Sequence, residues 1–344
     1  DKLRFFSQAE TELDLAAATG IQVYRMGIDW GRLAPLKPGS VDSTGRIIPE
    51  GIQDQAALRQ YRSIIQEARQ RGMRVMLTLF HHSLPKWSVA EGGWLNDATA
   101  GHFSAFAASA ALELGDLVDE WVTFNEANVF LVMTYVTGNW PPGLGADYTS
   151  FIDTPQRRGN YNVAFDNLVK AHKDAWEAIH RLDRTVADTG SSAVPARVGI
   201  AHFVSQYYAY SVMDIPVVFA SRNLKVAFDF PDAIRRQLDF LGINYYGEEV
   251  IKGTSVAFLP GREYSDSGRS IYPEGLFKVL DHVNTRYNQG LNLLSDAKPL
   301  PFIITENGIS DEDDIFRPSY LIEHLLAVRQ ALNAGIPVQG YIFW

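Results

Sequence analysis

Apolar residues recur along this chain at two periods, and the two periods alternate. Leu13, Ala16 and Ala17 fall at helical spacing ahead of Gly20, and residues 21–29 then read as a strand. Leu58, Tyr61, Ile65 and Ala68 mark a second helix that stops at Gly72 before a strand over 74–80. Phe103, Phe106, Ala107, Ala110 and Leu114 mark a third, closed by Gly115 and followed by a strand that ends at Glu126. Ser7 and Glu10 have the spacing of a capping box at the head of the first helix. Further buried strands are predicted over 198–203, 240–245, 302–306 and 338–344, the last after a helix over 320–333 with Gly335 and Pro337 behind it. Helix, glycine, strand is the rhythm of a parallel α/β fold. The pattern predicts seven strands, one fewer than the eight of a closed (β/α)8 TIM barrel.

Composition narrows this picture. With 344 residues, 46% hydrophobic and 21% charged, the chain can bury one large core, and a single domain over 1–344 is expected. The 31 basic and 40 acidic side chains leave a net charge of −9 with no basic stretch. That balance excludes nucleic acid and an anionic membrane surface as electrostatic partners. The absence of cysteine excludes disulfides, thiolate metal sites and a cysteine nucleophile. No apolar run reaches the length of a membrane span, and the opening Asp1-Lys-Leu-Arg4 has no signal-peptide core. The eight histidines are scattered, and neither a zinc-protease nor a calcium-loop spacing occurs. No cofactor is therefore expected for the chemistry, and a divalent cation is not indicated. The acidic run 311–314 reads as a solvated face. Aromatics at 12%, with seven tryptophans, suit stacking on sugar rings once the core has taken its share.

The candidate chemistry sits at two strand ends. In Trp121-Val-Thr-Phe-Asn-Glu126 an apolar run closes on a carboxylate with no cation beside it in sequence, and Phe302-Ile-Ile-Thr-Glu306-Asn-Gly308 repeats the form. C-terminal strand ends line the active site of a parallel barrel. Two facing carboxylates there are the equipment of glycosidic bond chemistry, in which one protonates the leaving oxygen and the other attacks the anomeric carbon. Either motif alone is as readily a surface glutamate or an ion-pair partner.

Together, T-F-N-E and I-T-E-N-G resemble the acid/base and nucleophile signatures of family 1 glycoside hydrolases, and the likeness extends over nearly the whole chain. The resemblance implies Glu126 as acid/base and Glu306 as nucleophile. It also implies that Arg25 holds the nucleophile carboxylate, that His81 binds a hydroxyl of the transferred sugar and that Asn125 binds its 2-hydroxyl. Asn244 and Tyr246 would flank the nucleophile, with the Tyr246 hydroxyl orienting Glu306, and Trp344 would stack beneath the sugar. The family's first strand would precede Asp1 and its last helix would follow Trp344, so the expected fold is an incomplete (β/α)8 TIM barrel.

The sequence departs from the common family pattern at His82-Ser83, where most members have Trp-Asp, and at Ala127, where they have Pro. The runs L-F-H-H-S-L-P, G-I-N-Y-Y-G-E-E-V-I and S-D-S-G-R-S-I-Y-P-E-G-L are similar to a galactolipid galactosyltransferase branch of plant and algal chloroplasts. That branch implies transfer of galactose between galactolipids at the chloroplast outer envelope. Membrane contact would come only through segments outside this chain or through the lipid substrate. A hydrolytic β-glucosidase or β-galactosidase, acting on a β-glucoside or β-galactoside, is the competing reading. An inactive sugar- or lipid-binding remnant is the third. The stretches 141–161, 205–235 and 247–275 are rich in Gly, Pro, Ser and Tyr and are expected to shape a cleft, with Trp140, Tyr148, Phe258 and Tyr264 as candidates for an apolar acceptor groove.

Overall fold

The computed structural model describes residues 4–184, 187, 197–218, 227–253, 255–289 and 299–344. The chain divides into two compact units, Asp1–Ile200 and Ala201–Trp344.

The first unit contains α1 (Glu10–Ala18), β1 (Val23–Gly27), α2 (Gln55–Gln70), β2 (Arg74–Phe80), α3 (Ala98–Leu114), β3 (Glu120–Asn125), α4 (Ala127–Tyr135), α5 (Asn160–Leu182) and the start of β4 (Arg197–Phe203). Its strands run in the order β1-β2-β3-β4. β1 lies parallel to β2 from Val23↔Arg74 to Gly27↔Thr78, and β2 parallel to β3 from Met76↔Glu120 to Phe80↔Phe124. Nearly every residue of β2 and all of β3 are buried, as continuous apolar runs in a sheet covered on both faces require. Helix α2 starts at Asp54, whose carboxylate accepts the Ala56 and Ala57 amide hydrogens at 2.9 Å each. Its stripe of Leu58, Tyr61, Ile64, Ile65 and Ala68 is buried. Phe103 of α3 stacks on Phe124 of β3 at 4.7 Å, in an aromatic core with Trp30, Phe80, Trp94 and Phe106.

The second unit contains β5 (Gln206–Ala209), β6 (Phe240–Asn244), β7 (Glu248–Lys252), β8 (Ser255–Val256), α6 (Pro273–Asn284), β9 (Phe302–Asn307), α7 (Arg317–Asn333) and β10 (Val338–Phe343). From the end of β4 the order is β4-β6-β9-β10. β9 lies parallel to β6 through Leu241↔Phe302 and Asn244↔Glu306, and to β10 through Val338↔Phe302 and Phe343↔Asn307. The seven predicted strands are thus all present. A three-stranded sheet β5-β7-β8 also rises from the stretches read as loops. Its strands have four, five and two residues, too short to show a period in sequence.

Three expectations are corrected, and the closure at Gly115 is refined. The capping box is absent: the Ser7 hydroxyl donates back to the Arg4 carbonyl at 3.2 Å, and α1 begins after Ala9 with no side-chain cap. Gly115 closes α3 as expected, as its C-cap, with φ −60° and not in a left-handed turn. A Cβ there would lie 2.5 Å from the Ala111 carbonyl oxygen and 2.7 Å from the Asp183 carboxyl, so close approach demands the glycine. The first strand is shorter than 21–29 because Asp29 leaves it to cap the short helix Trp30–Leu33 through the Arg32 amide. Asp311 is not part of a solvated face: it is buried and accepts the Phe316 and Arg317 amide hydrogens, both at 2.8 Å, at the start of α7. Among the described residues no helix is long and apolar enough to cross a membrane.

Candidate active site

Strand β3 opens on one glutamate and runs straight into another, and the two are treated differently. At the entry end Glu120 is 3% exposed and is neutralised by Arg74 and by Arg197 at 3.0 Å. At the exit end Glu126 is half-buried and takes φ 44° and ψ 51°, the left-handed conformation, as the chain turns into α4. The first is held as structure; the second is presented.

Asn125, 1% exposed, organises the surroundings of that exit end. Its Oδ1 accepts a hydrogen bond from Arg25 Nη2 at 2.6 Å, which fixes the orientation of the amide. Its Nδ2 then donates to His81 Nε2 at 3.1 Å, which places the His81 proton on Nδ1. His81 keeps an exposed edge, yet burial of the ring, followed by the Arg25 charge, pushes its pKa down to about 4. The imidazole is therefore neutral at neutral pH. His82 has φ 78°, and its Nε2 meets the Asn125 carbonyl oxygen at 2.9 Å. Its ring stacks on Phe130 at 5.7 Å and lies 4.7 Å from Trp140. Arg25, His81 and Asn125, three residues singled out in the sequence, thus form one hydrogen-bonded array next to Glu126. His82 was read there only as a departure from pattern; it ties the end of β2 to the end of β3.

In the second unit Glu306 is 3% exposed near the end of β9. The Tyr246 hydroxyl donates to its Oε2 at 2.5 Å, and its backbone carbonyl accepts the Tyr245 amide hydrogen at 2.9 Å. Asn244 is fully buried, and its Oδ1 accepts from the Thr305 hydroxyl at 2.7 Å. Asn307, not singled out in the sequence, is a junction: it donates to the Tyr245 carbonyl at 2.7 Å and to the Tyr320 hydroxyl at 2.9 Å, and accepts from the Tyr341 hydroxyl at 2.6 Å. Its carbonyl receives the Trp344 amide hydrogen at 2.9 Å. Trp344 is 53% exposed and lines a cavity of about 370 Å³ together with Tyr246, Gly308, Tyr320 and Arg269. A Cβ on Gly308 would fall 1.7 Å from the Trp344 carbonyl oxygen, so no other residue fits there without displacing Trp344.

Tyr246 also lines a second cavity of about 190 Å³, with Glu249, Phe258, Tyr264 and Arg269. The Phe258 and Tyr264 rings meet edge to face at 4.9 Å. Tyr148 is 73% exposed. The Arg269 guanidinium lies 4.3 Å from the centroid of the Tyr246 ring. The sequence offered no signal for that contact beyond an arginine in a loop. Among the described residues no group of three or more His, Asp or Glu could hold a metal ion.

Parallel strands that each hand a glutamate to a turn at their carboxyl ends, amid amide, imidazole and phenol groups, define a part of a (β/α)8 barrel of the glycosidase type. The chain belongs to glycosyl hydrolase family 1, whose sequence profile matches residues 3–212 and 206–344. It is 42% identical over 347 residues to the β-glucosidase-like SFR2, chloroplastic, of Oryza sativa subsp. japonica, covering 100% of this chain and 50% of the relative. It is 40% identical over 344 residues to the galactolipid galactosyltransferase SFR2, chloroplastic, of Arabidopsis thaliana, covering 100% and 51%. The chain thus spans about half the length of these curated relatives. Among solved structures, the crystal structure of a hyperthermophilic β-glucosidase from Pyrococcus furiosus matches with a TM-score of 0.75 at 28% identity, over 99% of this chain and 75% of that one.

Proposed function

We propose that this chain carries the catalytic residues of a retaining β-glycosyl transfer enzyme that moves galactose from one galactolipid to another in the chloroplast. Glu306 attacks the anomeric carbon while Glu126 protonates the departing glycosidic oxygen, leaving the sugar esterified to Glu306. Glu126, now a carboxylate, takes the proton from an acceptor hydroxyl, whose oxygen attacks the anomeric carbon and releases Glu306. Neutral His81 and Asn125 bind sugar hydroxyls, Asn125 taking the 2-hydroxyl, and Arg25, which donates to Asn125 Oδ1, is assigned to hold the nucleophile carboxylate. Tyr246 orients Glu306, Asn244 supports the same strand end, and Trp344 offers an aromatic face to the ring. The observation that carries the nucleophile assignment is the 2.5 Å hydrogen bond from Tyr246 to the buried Glu306 carboxylate. Such a bond fixes the orientation of the carboxylate that attack requires.

Support for transfer to a galactolipid comes from the 40% identity over the whole chain to a relative named a galactolipid galactosyltransferase. Water stands at about 55 M, so an acceptor sugar captures the glycosyl-enzyme only if it is held in line, where effective molarities of roughly 10⁵ M or more are attainable. The cavity bordered by Phe258 and Tyr264 is the candidate seat for that acceptor and the first part of its lipid. The test is incubation of the full-length protein with monogalactosyl diacylglycerol and analysis of the products. Oligogalactosyl lipid is expected. Free galactose without it would refute transfer and establish a hydrolase; no turnover together with bound lipid would establish a binding protein.

A further inference from the structure

The cation over Tyr246 is not used by the chemistry above. Arg269 is anchored through its own backbone, its amide donating to Ser265 Oγ at 3.0 Å and its carbonyl accepting the Ser265 amide hydrogen at 2.8 Å. Ser265 is buried, so the backbone that carries Arg269 is held in place. It lies 4.3 Å from the centroid of the Tyr246 ring and 5.9 Å from that of Phe203, and it borders both cavities that Tyr246 borders. A cation on the face of a phenol draws on the ring's negative quadrupole and stabilises charge developing on its oxygen. The same phenol donates its hydroxyl hydrogen to Glu306 Oε2.

We infer that Arg269 is a positioning residue for the nucleophile: held over the Tyr246 ring, it makes the phenol a stronger hydrogen-bond donor and so holds the Glu306 carboxylate ionised for attack. This rests on the reading of Glu306 as nucleophile. The effect passes through Tyr246, which separates it from a general contribution of positive charge.

Several other charged and titratable groups of the second unit border the same cavities or face this pair. Glu249 of β7 lines the smaller cavity, where burial raises its carboxyl and Arg269 opposes the rise. Its β7 neighbour Glu248 is buried and paired with Arg262. From β5 the Tyr207 phenol is raised by burial and then by the Glu249 charge. From α7 the Tyr320 phenol is raised by burial and pulled back by Asn307 and, more weakly, by Arg269. Tyr264 is engaged with the Leu259 amide at 2.7 Å. Of these, Glu249 is the one whose ionisation would cancel the arginine's charge.

The experiment measures kcat/KM against pH for the full-length protein on a nitrophenyl β-galactoside, whose leaving group needs no protonation. The acid limb then reports ionisation of the nucleophile in the free enzyme. Arg269→Met is expected to move that limb upward by about half a pH unit, from the usual strength of a solvent-exposed cation–π contact. Arg269→Lys should restore most of the shift. Arg269→Met placed on Tyr246→Phe should move the limb no further. An unmoved limb in Arg269→Met, or an equal shift with Phe at 246, would overturn the inference. Turnover that survives Glu306→Gln would instead overturn the nucleophile assignment beneath it, so the two failures are told apart.

Discussion

Acid should weaken the second unit through two buried histidines that lie outside the candidate chemistry. His202 and His324 are fully buried, and each commits one ring nitrogen to a backbone carbonyl: His202 Nε2 to Ala227 at 2.6 Å and His324 Nδ1 to Tyr320 at 2.7 Å. The other nitrogen, Nδ1 of His202 and Nε2 of His324, is buried with no hydrogen-bond partner among the described residues. Protonating it would bury an N–H⁺ with nothing to accept it. Burial accordingly pushes both pKa values down to about 4. With the folded value below the ordinary 6.5, the unfolded chain takes up protons that the folded chain refuses as pH falls from about 6.5 to about 4. The stabilisation is whole above that window and is lost on descending through it. Between pH 7 and pH 5 the loss works out at about 2 kcal/mol for each histidine, and about 4 kcal/mol for the pair, a large part of a typical domain's margin. His202→Gln keeps a donor near Nε2 and His324→Asn keeps one near Nδ1, while neither variant titrates. Urea unfolding followed by tryptophan fluorescence should show the wild type losing about 4 kcal/mol relative to the double variant over that pH range. Parallel stability curves for the two proteins would refute the account of the orphan nitrogens.

Three further outcomes are expected. Glu306→Gln should abolish turnover of every substrate, whereas Glu126→Gln should spare nitrophenyl glycosides; equal losses on a nitrophenyl galactoside would reverse or remove these roles. Tyr246→Phe should lower kcat/KM roughly ten- to a hundredfold, because hydrogen bonds to charged groups are worth about 1.5–3 kcal/mol, and steady-state kinetics on the same substrate would read it. Glu120→Ala should leave turnover chemistry intact but lower stability by about 2 kcal/mol, below the usual cost of breaking a buried pair because Arg74 and Arg197 reach water; urea midpoints at neutral pH would check this.

The strands were legible because their environment makes them so. A strand covered on both faces is apolar through most of its interior, as in β2, β3 and β9, so the polar residues that close β3 and β9 stood out at Asn125-Glu126 and Glu306. What sequence could not supply was lateral. That Asn125 ties Arg25 to His81 depends on the registers of β1, β2 and β3, which no single run encodes. Asp311 looked like part of an acidic face because a helix cap and a solvated charge use the same residue, and only the amides of Phe316 and Arg317 distinguish them. Arg269 reaches Tyr246 across a fold of loop, and aromatic-cation contact has no sequence period at all.

The backbone at residue 126 sets stability and turnover against each other. Neighbouring strands both leave the sheet through a left-handed residue that is not glycine, His82 at φ 78° and Glu126 at φ 44°. A side chain in that region costs on the order of 1 kcal/mol, which glycine would recover. Under the proposed roles, a laboratory selection for heat resistance alone would therefore drift toward glycine at 126 and discard the acid/base in the process. A selection for turnover alone would keep paying that conformational toll. Under those roles, any programme to harden this protein has to hold position 126 fixed and look for its gains elsewhere in the chain.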